Sequence, residues 1–548
     1  MSTATPSNPA SAKRERDLRL DFFRGLAMFI ILLAHTPMSL WRMWIPARFG
    51  FSDATEIFVF CSGMASGIAF GAVFMKKSWF LGAARIAFRV WQVYWAHIGV
   101  VIATACILVA LQSTGMGEPG KDYTKWFPVG GFFSTTEGRP EATLLGLFTL
   151  TYVPGLFDIL PMYLVILCMV PLVMVIYRAG GREAVFAFMA VTWLAANLAG
   201  YARHNGDEAD LSAIQAGAVW LGDLFLWMNL PGVPWEQNAT WFFNPFAWQL
   251  VFFTGFCFAM GWIPAPPVNR WLVIASIIVV VVTIPFAWYK LYQFKTGYMP
   301  DSVVGRWLWD TRSDIQPFRW KTWIGAWRYL HFLAIAYLAW AAVGPGGVRL
   351  RTGWDVRSRL PSTRRIIAAV LGTILFLLLP YNISAEVMYF SPDLHAGIFQ
   401  IWPEIPRRYV GITHLVFMSA IIPFTWHTIG DRARRWLVQD AFLAVVPVIR
   451  KVGTQSLAVF LVSIAFSRVM GWWFDSMDAW LAESDWTYMT RRDVWIRLLV
   501  NFSGFGVLIG TAYFVSWFKR QPWRDRAEKR QGAAQTGAST GTRSVPAE

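Results

Sequence analysis

Long apolar runs, separated by shorter polar stretches, recur along the whole chain. A run of about 20 mainly apolar residues is long enough to cross the hydrocarbon core of a bilayer as a helix. The pattern therefore predicts an all-α fold, a polytopic integral membrane helical bundle of about 12 (10–12) transmembrane helices. The predicted helices lie near residues 17–44, 54–75, 85–111, 156–177, 183–200, 246–263, 270–289, 327–343, 365–383, 408–427, 454–474 and 496–518.

The distribution of charge predicts how the helices are oriented. The net charge of +16 could indicate a nucleic-acid partner, but the cations are concentrated in alternate loops. Residues 344–365 carry six Arg and one Asp, whereas residues 201–244 carry one Arg and five acidic residues. This alternation is typical of membrane orientation, because loops rich in Lys and Arg stay on the cytosolic side. It argues against nucleic-acid binding and predicts that both termini are cytosolic, which requires an even number of spans.

Composition and small residues fit the same class of protein. Hydrophobic residues make up 56% of the chain and charged residues only 15%, which argues against a large soluble enzyme. The cysteines lie in apolar runs without metal-ligand spacing, so we expect small packing residues and neither disulfides nor a metal site. They are Cys61, Cys106, Cys168 and Cys257. Gly25, Gly63 and Gly67 are likewise predicted to be helix-packing positions.

The first apolar run holds two residues that can carry positive charge, Arg24 and His35. On a helix with a rise of about 1.5 Å per residue, they lie roughly 16 Å apart along the axis. His35 would then lie beyond the middle of the hydrocarbon core, where an ionisable residue usually indicates a function. Pro37 removes a backbone donor and could open the helix beside the imidazole.

With the predicted topology, most polar residues of the apolar runs lie near the outer ends of their helices. These are His35, Asp53, Glu56, Asp158, Arg328, His331 and His414. Arg24 differs, because it lies near the cytosolic end of the first helix. Each residue also has a structural explanation: Asp53 and Glu56 are suited to cap a helix N-terminus, and a lone buried histidine such as His331 is often a core residue.

Taken together, these residues indicate an acid–base site at one membrane face. A histidine held by a carboxylate can remove the proton of a sugar hydroxyl, so that the oxygen attacks an acyl carbon. An arginine at the other end suits a phosphate-bearing donor. The candidate catalytic residues are His35, Asp53, Glu56 and His331. The candidate substrate-binding residues are Arg24, Asp158 and Arg328.

Several segments resemble one known family. In chain order they are RDLRLDFFRGLAMFIILLAHTP, RFGFSDATEIFVFCSGMASGIAFG, RVWQVYWAHI, FDILPMYLVIL, FNPFAWQLVFFTG, WRYLHFLAIAYLAW and GTQSLAVFLVS. They resemble the OpgC-type proteins of proteobacteria, which are associated with succinylation of osmoregulated periplasmic glucans. That family is similar to the multi-pass acyltransferases often called type three. In those, an Arg and a His separated by ten residues on the first helix form the expected active-site pair, and Arg24 and His35 have that spacing.

The resemblance implies an O-acyltransferase of the bacterial inner membrane that uses cytosolic acyl-CoA as donor substrate and has no bound cofactor. Succinyl is the implied acyl group, and a periplasmic glucan or another envelope saccharide is the implied acceptor. His35 would be the acid–base residue, and Arg24 would support donor binding or the environment of His35. The relatives often have an acidic residue directly before this histidine, whereas this chain has Ala34. We therefore expect the carboxylate that orients His35 to come from another helix, with Asp53, Glu56 and Asp158 as candidates.

Composition and the resemblance together divide the chain into five parts. Residues 1–16 and 519–548 are predicted to be disordered cytosolic tails, the second of them basic. Residues 17–343 form an acyltransferase-like membrane core, and residues 451–518 supply its C-terminal helices. Residues 344–450 are predicted to be an additional two-helix membrane region that shorter relatives lack.

Two other classes of function remain open. Twelve spans with both termini inside also describe many secondary transporters, which would carry a small polar or anionic substrate and show internal repeats. Only WRYLH and RRYVGITH are faintly alike in the two halves.

A structural or assembly subunit is the third hypothesis, although it would not need the polar cluster. The sequence does not decide between direct transfer and a covalent acyl-enzyme, nor whether the protein forms a homo-oligomer.

Overall fold

The computed structural model describes residues 17–354, 430–483 and 489–521, together with the isolated positions 367, 371 and 426. Within the first range it leaves out residues 38, 126–128, 134–139, 207–209, 235, 237–238 and 294–301. The described residues are nearly all helical, and their only β contact is a bridge between Pro231 and Thr240. The predicted all-α class is therefore confirmed. The helices predicted at 365–383 and 408–427 lie outside the described residues, apart from those three positions.

The longer helices of the described residues are labelled α1 to α13. They are α1 Leu18–His35, α2 Ala54–Lys76, α3 Trp79–Ser113, α4 Pro140–Thr149, α5 Ile159–Asn205, α6 Ala213–Asp223, α7 Pro245–Met260, α8 Arg270–Ala287, α9 Val303–Asp314, α10 Ala326–Val343, α11 Phe442–Thr454, α12 Ser456–Glu483 and α13 Met489–Lys519. Short helical turns join them at Leu40–Trp44, Pro46–Arg48, Tyr123–Lys125, Gly130–Phe132, Leu226–Met228, Tyr289–Tyr292, Gln316–Arg319, Pro345–Gly347, Arg349–Thr352 and Asp431–Arg435. Wider π turns lie at Gly67–Gly71, inside α2, and at Trp436–Ala441, before α11.

Seven of the described helices are long and apolar enough to cross a membrane: α2, α3, α5, α8, α10 and most of α12 and α13. The apolar α7 is shorter, with 16 residues, and α1 carries three charged residues, Arg19, Asp21 and Arg24, among its 18. The long α5 is broken at Gly180 and Gly181, where φ and ψ are −140° and 17°, then 69° and −164°. It therefore consists of two helical segments, as the pattern predicts. The total of about 12 spans stays a prediction.

Other predicted boundaries need correction. The first helix ends at His35 and does not continue to residue 44, because Pro37 has no N–H to extend the backbone ladder. The chain continues from there into the separate turn Leu40–Trp44. Four stretches predicted to be loops contain helices, namely α4 in 112–155, α6 in 201–244, α9 in 290–326 and α11 in 428–452.

Small residues allow the helices around α1 and α2 to pack closely, as predicted. A Cβ atom on Gly25 would lie 1.9 Å from the carbonyl oxygen of Ile449 in α11. One on Gly63 would lie 1.9 Å from the carbonyl oxygen of Phe252 in α7, and one on Gly67 would also collide with α7. Because no side chain fits between these backbones, the packing roles predicted for Gly25, Gly63 and Gly67 are confirmed.

The core has two parts that matter for the site. Apolar side chains of α1, α2, α3, α5, α7, α12 and α13 form the main cluster. A smaller cluster brings the first turns of α1 next to the end of α10, through contacts of Leu18, Phe22 and Val343 with neighbours from α11. The start of α1 and the end of α10 therefore lie at one end of the bundle, and the end of α1 lies at the other.

Candidate active site at the end of the first helix

Arg24 and His35 lie on one face of α1. The helix is continuous from Leu18 to His35, so the two residues are about three turns, or roughly 16 Å, apart and nearly aligned. Arg24 is buried, and its Nη2 donates a hydrogen bond of 2.8 Å to the carbonyl oxygen of Cys61 in α2. His35 is the last residue of α1 and is half-buried, and its Nδ1 is a buried atom without a hydrogen-bond partner among the described residues.

Asp53 and Glu56 form a capping box at the start of α2. Asp53 Oδ1 accepts the backbone N–H of Thr55 at 2.6 Å, and Glu56 Oε2 accepts the backbone N–H of Asp53 at 2.8 Å. The order Asp-x-x-Glu before an apolar run produces this arrangement, since the first N–H groups of a helix have no intrahelical acceptor. Asp53 and Glu56 therefore cap α2, which is one of the two roles that the sequence suggested for them. The second oxygen of each carboxylate, Asp53 Oδ2 and Glu56 Oε1, remains available to a cation.

Two ion pairs join this capping box to the first turn of α10 and to the segment before it. Lys321 Nζ lies 2.5 Å from Asp53 Oδ2, and Arg328 Nη1 lies 2.7 Å from Glu56 Oε1. Glu56 is completely buried and the Arg328 side chain is 12% exposed, so the second pair is shielded from water. Each cation offsets the desolvation of its carboxylate, and removal of either partner would leave an uncompensated buried charge.

His331 holds the turn that precedes α2. Its Nδ1 accepts the backbone N–H of Ser52 at 3.2 Å and lies 2.8 Å from Ser52 Oγ. An Nδ1 that accepts an N–H assigns the proton of a neutral imidazole to Nε2, which is buried without a partner among the described residues. A Cβ on Gly50 would lie 2.2 Å from that Nε2, so only glycine fits there. His331 thus contacts the backbone beside Asp53.

Asp158 lies at the N-terminus of α5 and is 2% exposed. Its Oδ2 is buried and has no hydrogen-bond partner among the residues that the structure describes. The ammonium of Lys321 is within electrostatic reach of this carboxylate. A buried carboxylate oxygen without a donor is available to a hydroxyl group of a bound molecule.

Lys321 is the cation that these groups share. It is within electrostatic reach of His35, Asp53, Glu56 and Asp158. The structure therefore brings together the candidate residues from the starts of α2, α5 and α10 and the end of α1, whereas Arg24 is three turns away. None of the three candidate carboxylates forms a hydrogen bond with His35 Nδ1. Asp53 is the one within electrostatic reach of the imidazole.

Sequence reasoning missed three polar residues of this site: Lys321, Ser52 and Arg468. Arg468 is buried in α12, and its Nη2 donates a hydrogen bond to the carbonyl oxygen of His35. A charged residue within an apolar run was the signal that could have identified Arg468. Lys321 lies in a mixed polar and aromatic stretch, which gave no such signal.

The described residues contain no group of three or more His, Cys, Asp and Glu side chains that could hold a metal ion. All four cysteines are free thiols, of which Cys61 and Cys257 are buried and Cys106 and Cys168 are exposed. His97 is buried in α3, and neither of its ring nitrogens has a partner among the described residues.

The fold and the site define a class of protein: an all-helical, multi-pass membrane protein with titratable side chains and paired charges at one end of the bundle. The chain belongs to the OpgC protein family, whose model matches residues 16–357 and 346–520. The two matches together extend over the region 344–450. No significant match was found among curated proteins or among solved structures. Membership of this family suggests an acyltransferase-type function on glucans.

Proposed function

We propose that this protein is an inner-membrane O-acyltransferase that transfers a succinyl group from cytosolic acyl-CoA to hydroxyl groups of a periplasmic glucan. Membership of the OpgC family supports the reaction class. The observation that supports His35 as the acid–base residue is its surroundings: a buried Nδ1 without a partner, with Lys321, Arg468 and Asp53 within electrostatic reach. An imidazole among fixed charges is suited to move a proton.

In the proposed reaction, the imidazole of His35 accepts the proton of a sugar hydroxyl. At the same time, the oxygen of that hydroxyl attacks the carbonyl carbon of the thioester. The new C–O bond forms, the C–S bond breaks, and the imidazolium returns its proton to the departing CoA sulfur. The positive charge of Lys321 stabilises the negative charge that develops on the thioester oxygen. The carboxylate of Asp53 stabilises the imidazolium, which exists after the sugar hydroxyl has lost its proton and before the sulfur receives it. No acyl-enzyme is needed.

The other site residues have supporting roles in this proposal. Arg24 binds the phosphate-bearing donor or supports its path along α1 toward His35. The free Oδ2 of Asp158 accepts a hydrogen bond from a hydroxyl of the saccharide. Glu56, Arg328 and His331 hold the starts of α2 and α10 together, so that Asp53 and Lys321 stay beside the imidazole.

We further propose that the chain has about 12 spans with both termini in the cytosol. This topology puts His35 and the charged cluster near the periplasmic face, where the acceptor is present. It puts Arg24 nearer the cytosolic face, from which acyl-CoA arrives. The donor then has to extend its pantetheine arm, which carries the thioester at its end, across roughly 16 Å of the bundle along α1.

Mass spectrometry of periplasmic glucans tests the proposal. Glucans are extracted from cells with the gene intact, with the gene deleted, and with the gene encoding His35→Ala. We expect a series of masses separated by one succinyl group in the first strain, and its loss in the other two. The same series in all three strains would contradict the proposal. A series separated by acetyl groups would keep the reaction class and change the acyl group.

A further inference from the structure

Arg468 is a buried charge at the level of His35. Its side chain belongs to the apolar helix α12, and the residue is 6% exposed. Its Nε donates to the hydroxyl of the neighbouring Ser467 at 3.3 Å, and its Nη2 donates to the carbonyl oxygen of His35. A guanidinium in such a place is costly unless its donors are satisfied. The carbonyl of His35 is one of the groups that satisfies it.

The carbonyl of His35 needs a donor because α1 ends there. The last four carbonyl groups of a helix have no intrahelical donor, and Pro37 brings no N–H to this turn. Thr36 Oγ1 bonds back to the carbonyl of Leu32 at 2.8 Å, so it does not reach forward to His35. Arg468 therefore supplies from another helix a donor that the backbone of α1 lacks.

The same side of the bundle holds the residues that follow His35. Thr36 Oγ1 lies 3.7 Å from the sulfur of Met470 in α12, and Ser39 Oγ donates to Asn501 Oδ1 in α13 at 3.1 Å. Three contacts from the two C-terminal helices thus surround the end of α1. Of these three contacts, only the one from Arg468 is made to His35 itself. Arg468 also adds a second positive charge, besides Lys321, within electrostatic reach of the imidazole.

We propose that Arg468 is the positioning residue for His35. The planar guanidinium binds the carbonyl of the terminal turn and fixes the backbone from which the imidazole projects. It acts through His35 and is not proposed to receive a proton. This inference rests on the proposed function, since it assigns a role in the reaction of His35. A displacement of about 1 Å at a reacting group can lower a rate about 10²-fold, so loss of this contact is expected to affect turnover strongly.

The test uses the purified full-length protein, succinyl-CoA and a periplasmic glucan. We expect Arg468→Met to lower kcat about 10²-fold and to change KM for succinyl-CoA by less than about threefold, because the donor is bound elsewhere. Arg468→Lys keeps a donor and the charge but loses the fork geometry, and we expect it to recover about one tenth of the wild-type rate. The matched control is Asp475→Asn on the same helix, about 10 Å further along the axis. Asp475 accepts hydrogen bonds from Lys121 at 2.7 Å and from Tyr123 at 2.9 Å, and its variant should keep the wild-type kcat.

Several outcomes would overturn the inference. They are a wild-type kcat per folded molecule in Arg468→Met, a rise in KM alone, or an equal fall of kcat in Asp475→Asn. If Arg468→Met does not fold, Arg468→Lys decides, and a wild-type kcat in that variant overturns the inference. Transfer that is absent from the wild-type protein itself would overturn the proposed function, and the positioning role with it. If instead the wild-type protein transfers the acyl group and the Arg468 variant does so equally well, only the positioning role is overturned.

Discussion

The buried pair of Arg328 and Glu56 permits a quantitative prediction about stability. Arg328→Met removes the cation and leaves the fully buried Glu56 carboxylate without its partner at 2.7 Å. Removal of one member of a buried pair destabilises a protein by about 3–5 kcal/mol, because the remaining charge stays desolvated. The acceptor role of Glu56 toward the backbone N–H of Asp53 keeps the carboxylate in place, so it cannot turn toward water.

The double variant Glu56→Gln/Arg328→Met removes both charges and leaves neither one uncompensated. We expect it to be more stable than Arg328→Met alone, since exchange of both members of a buried pair for neutral groups is often nearly neutral. The amide of glutamine keeps the volume of Glu56 and one acceptor oxygen for the N–H of Asp53. The expected order of stability is therefore wild type, double variant, and Arg328→Met.

The assay is the apparent melting temperature of each variant, measured in one detergent at one protein concentration. The control pair is Arg182 and Glu183, whose side chains are 56% and 72% exposed. Glu183→Gln should leave the melting temperature unchanged, because an exposed pair is screened by water. A melting temperature of the double variant at or below that of Arg328→Met would refute the reasoning, since it would show that the charges do not compensate each other.

Three further predictions follow from the packing, the proposed donor site and the proposed topology. Gly25→Ala should prevent α1 from packing against α11 and lower the yield of folded protein, because its Cβ would lie 1.9 Å from Ile449 O. Gly506→Ala, with nothing within 4 Å of its added Cβ, should fold normally, and equal yields would contradict the prediction. Arg24→Ala should raise KM for acyl-CoA more than it lowers kcat, and an unchanged KM would return Arg24 to a structural role. A green fluorescent protein fused to the C-terminus should fluoresce in the cytosol, whereas an active alkaline phosphatase fusion would contradict an even number of spans.

Much of the fold follows from local sequence features. The separation of Arg24 and His35 depends only on an unbroken helix, so 1.5 Å per residue is enough to predict it. The capping box of Asp53 and Glu56 follows from their spacing before an apolar run. The break at Gly180 was visible as an interruption between two apolar runs. These features depend on nearest neighbours along the chain.

The rest of the site depends on contacts between distant segments. Lys321 is 268 residues from Asp53, and nothing in its own stretch indicates that it forms an ion pair with this residue. Arg468 is 433 residues from His35, and its role depends on how α12 is rotated against α1. Helix α11 was missed for another reason: its cations resemble a cytosolic loop, although its apolar face packs against α1. Hydropathy alone does not predict helix rotation, because lipid and protein interior are both apolar.

The assignment of His35 as the acid–base residue is tested most directly by a transfer assay on two histidine variants. Purified wild-type protein, His35→Ala and His97→Ala are incubated with labelled succinyl-CoA and glucan, and the labelled glucan is measured. His97 is also a buried histidine within the bundle, so its variant controls for the loss of an imidazole. We predict that His35→Ala loses transfer by about 10²–10⁴-fold, while His97→Ala stays near wild type. A near-normal rate in folded His35→Ala would contradict the central role of His35.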